Sequence, residues 1–90
     1  MNTELQQSAE LMLSEDYKER FIAEYMQIDN RLRGLKKMML AWEQSELGGP
    51  ALGFTPSCPY ETYKFQLKAM QEYRDILVVR AALENITLPF

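Results

Sequence analysis

The sequence predicts an all-α protein: an antiparallel helical hairpin behind a short N-terminal helix, assembling with further copies into a helical-bundle oligomer. Three observations carry that prediction. Phe21, Tyr25, Ile28, Leu32, Leu35, Met39 and Trp42 recur at alternating spacings of four and three, the heptad seam of a helix laid along a partner. Gly48, Gly49, Pro50, Gly53, Pro56 and Pro59 cluster in one interruption, which leaves a helical half on either side. The second half carries two apolar stripes on opposite sides of its helix. No single partner helix can cover both.

The elements follow in order. Thr3 and Gln6 form a T-x-x-Q capping box, so residues 4–13 are read as a short leading helix with Leu5, Met12 and Leu13 apolar. Ser14 is the expected N-cap of the main helix, because Glu15 and Asp16 then meet the positive end of its dipole. That helix is expected over about residues 15–45. Its acidic residues come early and its basic ones late, as the dipole favours, and Asp29 with Arg33 makes an i,i+4 pair. A loop follows, in which Phe54 is expected to fold back over the end of the seam. Ser57 is read as the cap of the second long helix, about 58–85, with Pro59 in its first turn. Residues 1–13 thus form an extension or short helix, and 14–90 the hairpin domain.

In the second helix Tyr63, Leu67, Met70, Leu77 and Ala81 make one stripe, interrupted by Arg74, whose head is expected to reach water. Phe65, Ala69, Ile76, Val79, Leu83 and Ile86 make another, interrupted by Glu72. The two are offset by two residues, about 200° around the helix. On the first helix Met26 and Leu40 also lie away from the seam. Either the N-terminal helix covers this surplus or further copies do. Self-association is the favoured reading, because a helix of about ten residues is shorter than the stripe. Met26, Leu40, Phe65, Ile76, Val79, Leu83 and Ile86 are therefore the expected oligomer interface.

Composition narrows the function. Charged residues make up 26% of the chain and apolar ones 47%, the balance of a folded domain. A formal charge of −3 is too acidic for a protein that must neutralise many phosphates, so no direct DNA binding is expected. The chain has no histidine, and Cys58 is its one cysteine. Histidine-based catalytic dyads, intrachain disulfides and thiolate metal clusters are thereby excluded. No residue pattern calls for a cofactor or metal, and the carboxylates follow helix polarity rather than an acid/base pairing. An enzyme is not expected. No apolar run approaches the length of a membrane span, and MNTELQQSAE lacks the basic start and apolar stretch of a signal peptide, so the expected location is the cytoplasm.

One local patch departs from the overall charge. An antiparallel hairpin brings Arg31, Arg33, Lys36 and Lys37 to the level of Lys64 and Lys68, with Tyr60 and Tyr63 near them. Cations beside tyrosines can hold a phosphate and stack a base. The plainer reading is that the basic residues form a solvated face and Tyr63 packs in the core. Asp16, Glu19, Glu24 and Glu84 gather at the opposite, open end.

The segments SEDYKERFIAEYMQIDNRLRGLKKM, LGFTPSCPYE and QLKAMQEYRDILVVRAALENI resemble a family of small phage and prophage proteins named after a product of a crAss-like phage. The resemblance covers about residues 13–88. Its most specific parts are F-T-P-x-C at Phe54 to Cys58 and Q-L-x-A-M-x-E-Y from Gln66 to Tyr73. Members often begin near the equivalent of Met12, so residues 1–11 look like an extension, and residues 48–51 lengthen the loop. The resemblance implies a phage origin, an accessory role in the host bacterial cytoplasm and no catalytic motif. In outline the hairpin is also similar to phage sponges, oligomers that sequester cyclic nucleotide signals between subunits. Three functions follow as expectations: a counter-defence sponge for a cyclic nucleotide; an inhibitor that binds a host defence protein such as a CRISPR nuclease, by mimicking phosphates or engaging a partner helix; or an adaptor in the phage particle. Fold alone does not choose among them.

Overall fold

A computed structural model of the chain describes residues 3–90, in which three helices follow one another: α1 (Thr3–Met12), α2 (Tyr17–Glu46) and α3 (Tyr60–Leu83). Among the described residues there is no strand. α2 and α3 form the expected antiparallel hairpin, and α1 folds back antiparallel to α2.

α2 starts at Asp16, not Ser14. The Asp16 carboxylate accepts the Lys18 amide at 2.9 Å, while the Ser14 hydroxyl accepts the Asp16 amide at 3.0 Å. Ser14 thus shapes a turn two residues ahead of the helix and Asp16 caps it. Thr3 stands inside α1 rather than before it; the position ahead of it lies outside the described residues. Ser57 does not cap α3 either. Pro59 holds that position with no side-chain bond, and the Ser57 hydroxyl lies 3.2 Å from that of Tyr63.

Both long helices end in the same reversal. After Leu47, Gly48 adopts φ +91°, and the amides of Gly49 and Gly48 return to the carbonyls of Gln44 and Ser45. After Glu84, Asn85 takes φ 57° and the Ile86 amide returns to the Ala81 carbonyl at 2.8 Å. These are Schellman turns, which need a residue tolerant of the left-handed region. The second one buries Ile86 and sends the C-terminal residues back along α2.

The core sits at the N-terminal half of α2, where Phe21, Tyr25, Leu77, Ala81 and Ile86 cluster with Ile22, Ile28 and Leu88 packed around them. Counted at about 100° per residue, the positions facing α3 (Phe21, Tyr25, Leu32, Met39) and those facing α1 (Ala23, Gln27, Asn30) lie on opposite sides of α2. α1 and α3 each pack on α2 and not on each other. Small residues permit the close approach of α1, since Ser8 and Ala23 are both completely buried. The Gln27 amide donates to the Ser8 hydroxyl at 2.6 Å, the Ser8 hydroxyl donates to the Leu5 carbonyl at 2.8 Å, and Arg33 pairs with Glu4.

This arrangement revises several expectations. Met26 and Ile86 are buried within the single chain, so they are not part of an interface with another copy. α1 covers surplus apolar surface on α2, as one of the two alternatives had it, but leaves the outer stripe of α3 bare. Phe54 is exposed instead of capping the seam; Leu52, with Ala41 and Gln44, lines the hollow under the loop. The molecule measures 48 × 27 × 20 Å. Its loop end, built of α2 and α3 alone, is thin.

Candidate functional site

The residues expected to bind a ligand do not form one cluster. Arg31 falls about 80° to one side of the α3-facing seam, Lys36 and Arg33 about 60° and 120° to the other, and Lys37 about 160° away. Arg33 is committed internally: its Nε donates to Asp29 at 2.8 Å, it pairs with Glu4, and its guanidinium lies 5.7 Å from the centre of the Phe90 ring. Both carboxylates raise its pKa above the ordinary arginine value, Asp29 foremost. Tyr60 donates to Glu43, which holds its phenol above the usual range. Its ring meets Trp42 edge-on at 5.2 Å, and Tyr63 meets the same indole at 6.2 Å. The two tyrosines therefore pack the thin end of the hairpin.

Lys64 and Lys68 remain together. With Glu61, Phe65, Leu67 and Gln71 they line an open hollow of about 330 Å³, and every wall of it belongs to α3. The hollow continues into an exposed apolar stripe: Phe65 is 74% exposed, Ile76 and Val79 58%, and Leu83 77%. Leu40 is exposed on α2. Five of the seven expected interface residues are thus bare.

The larger concavity involves residues that the sequence reading did not join. It is a groove of about 440 Å³ over α2, lined by Arg20, Glu24, Gln27, Ile28 and Arg31, with Met12 of α1 on one side and Tyr73 of α3 on the other. Tyr73 donates to Glu24, and Arg20 donates to the Ser14 carbonyl at 2.8 Å. A signal for this floor was present, because residues 20, 24, 27 and 31 repeat at four, three and four, a polar stripe running parallel to the apolar seam.

The other flank of α2 is closed. There the C-terminal residues lie in the corresponding channel, with the Phe90 carbonyl accepting the Tyr25 hydroxyl at 2.7 Å and the Phe90 ring 5.6 Å from that of Tyr25. Beneath them Asp29, buried to 4% exposure, accepts Arg74 Nε at 2.7 Å and Arg33 Nε at 2.8 Å. The Arg74 head is thus turned inward to Asp29 and Tyr25, not out to water, and Asp29 leads the causes that raise its pKa.

The acidic end is likewise committed. Tyr17 donates to Glu84 and accepts from Arg80, both at 2.7 Å, and Arg80 Nε donates to Glu84 at 3.0 Å over the Phe21 ring. The Tyr17 hydroxyl bond holds Glu84 below the usual carboxylate range, while Glu84 in turn raises the Tyr17 phenol. Among the described residues no group of three or more Cys, Asp or Glu side chains is placed to hold a metal ion, and no helix is long and apolar enough to cross a membrane.

No curated protein and no solved structure is similar enough to this chain to count as a match. A family model does match, that of Sequestin, over residues 15–83. The matched span takes in α2, the loop and α3, with the polar stripe, the Lys64–Lys68 hollow and the bare α3 face. The chain belongs to the Sequestin family.

Proposed function

We propose that the protein is a non-enzymatic phage counter-defence protein that sequesters an anionic, nucleotide-type immune signal in the host bacterial cytoplasm, acting as a homo-oligomer. The family's name supports a sequestering role. The observation that carries the rest is the hollow on α3. Lys64 and Lys68 flank exposed Phe65 there, so phosphate-holding cations stand beside an aromatic ring. A hollow walled by one helix is half of a site, and the stripe of Ile76, Val79 and Leu83 beside it is the surface on which a second copy would close it. The non-enzymatic reading is supported by the carboxylates Glu24, Asp29 and Glu84, which accept hydrogen bonds from Tyr73, two arginines and Tyr17.

Isothermal titration of the wild type and the Lys64→Glu/Lys68→Glu variant with cyclic oligonucleotides and adenosine-diphosphate-ribose derivatives tests this. Binding by the wild type that the charge reversal weakens supports the reading. Silence across the panel rejects it.

The alternative, inhibition of a host defence protein, is favoured by the same apolar α3 stripe, which fits an amphipathic partner helix. Phosphate mimicry by the open end is less well supported, because two of its four acids, Glu24 and Glu84, are hydrogen-bonded to tyrosines. Recovery of one defence component by pull-down, lost with Ile76→Glu, would favour inhibition over sequestration.

A further inference from the structure

We propose that the open groove between α1 and α3 is a nucleotide site within the single chain, and that it selects bases carrying an exocyclic amino group. The inference rests on the sequestering reading for its ligand class but uses neither a second copy nor the lysines of α3.

The fold offers two channels along α2, one on each flank, between α1 and α3. The closed one is filled by an aromatic ring: Phe90 lies against Tyr25, with Arg33 over its face. The open one presents the same chemistry with no ring in it, namely Tyr73 on one wall, Ile28 on the floor and Arg31 alongside. Its volume of about 440 Å³ falls within the range of small-molecule sites.

The middle of the floor accepts hydrogen bonds. One oxygen of Glu24 takes the Tyr73 hydroxyl, which leaves the other as an acceptor. The Gln27 amide nitrogen is turned to Ser8, which leaves its carbonyl oxygen as a second acceptor. Two acceptors beside an aromatic wall call for a planar ring that donates, and the amino groups of adenine, guanine and cytosine do so. Uracil and hypoxanthine present a carbonyl in the corresponding place with a single ring N–H beside it, so they serve one acceptor and set a like dipole against the other. Cations stand beyond both acceptors. Arg20 lies one turn before Glu24 and Arg31 one turn after Gln27, each about 6 Å along the axis, within reach of phosphates attached to the base through a sugar. Arg20 spends one of its five donors on the Ser14 carbonyl. The remaining donors serve a phosphate.

Calorimetric titration with adenosine diphosphate and inosine diphosphate tests the assignment without altering the protein, since the two differ only along one edge of the base, where the amino group becomes a carbonyl and the neighbouring ring nitrogen gains a hydrogen. The expected result is at least tenfold tighter binding of the adenosine compound. Arg31→Glu and Tyr73→Ala, both at exposed positions, should each weaken it at least tenfold, with circular dichroism unchanged; Tyr73→Phe, which keeps the ring, should weaken it less. Lys64→Glu/Lys68→Glu should leave it unaltered. Equal binding of the two diphosphates, loss of binding only with the lysine reversal, or binding of cyclic oligonucleotides without adenosine diphosphate overturns the groove and leaves the sequestering reading standing. A wild type silent to the diphosphates, to the cyclic oligonucleotides and to the adenosine-diphosphate-ribose derivatives overturns both.

Discussion

Arg74 reaches from α3 to Asp29 on α2, Nε to Oδ1 at 2.7 Å, while the second oxygen of the same carboxylate takes Arg33 Nε at 2.8 Å. Asp29 is therefore a buried anion with two cations, and those cations also cover the rings of Tyr25 and Phe90. Replacing Asp29 by alanine leaves Arg74 with only its longer contact to the exposed Asp75 carboxylate at 3.8 Å. The expected loss is about 3 kcal/mol, at the low end for breaking a buried pair because Arg33 is half exposed. Urea unfolding of Asp29→Ala, with Asp29→Asn as the variant that keeps the shape, measures it.

The contact of α1 with α2 depends on small side chains. Ser8→Leu forces a branched side chain into a completely buried position and removes the Gln27 bond. An overpacking cost of about 2 kcal/mol is expected. Hydrogen exchange should show the α1 amides losing protection while those of α3 keep theirs, since α1 and α3 do not touch.

At the open end stability should respond to acid in a defined way. Glu84 titrates below its unfolded value, so its contribution is complete above about pH 4 and lost as pH falls through its lowered pKa. Tyr17→Phe removes the leading cause of that shift. The stability gap between wild type and Tyr17→Phe should be open at neutral pH and narrow below about pH 4. The Tyr17 phenol itself is raised, so its own titration costs stability only above about pH 10. Thermal melts from pH 2.5 to 7 test the acid arm.

Asn85 holds a left-handed conformation. Asn85→Ala should cost about 1 kcal/mol and Asn85→Gly next to nothing. Fluorescence of the tyrosines during denaturation would follow release of the C-terminal residues from Tyr25.

The bare α3 stripe makes the last prediction. Ile76→Glu/Leu83→Glu, at positions already facing solvent, should lower the mass found by sedimentation without lowering the melting temperature of the chain. An unchanged mass would place any self-association elsewhere.

The hairpin was legible because its seam repeats over seven residues of one helix, and periodicity survives small errors in boundary. The caps were less so: Ser14 and Asp16 both suit an N-terminus, and only the course of the backbone decides which side chain meets which amide. The helical position of Met26 lies off the seam, which points to an interface. What covers it is the chain's own fold, and off-seam position alone does not identify its neighbour. Asp29 and Arg74 are 45 residues apart, and their pairing exists only in the register that the hairpin loop imposes. The candidate site is the least legible part. The basic residues share a level along the hairpin, but angle around the helix separates Arg31 from Arg33 and Lys37.

Because α1 and α3 meet only α2, the long helix is an axle with two detachable walls. One wall, with the loop, lies within the family match, and the other lies outside it. A change in α1 can therefore reshape one side of the groove, through Met12, without rebuilding the hairpin. The α2–α3 contacts stay in place under such a change, because the two walls pack on different sides of the same helix.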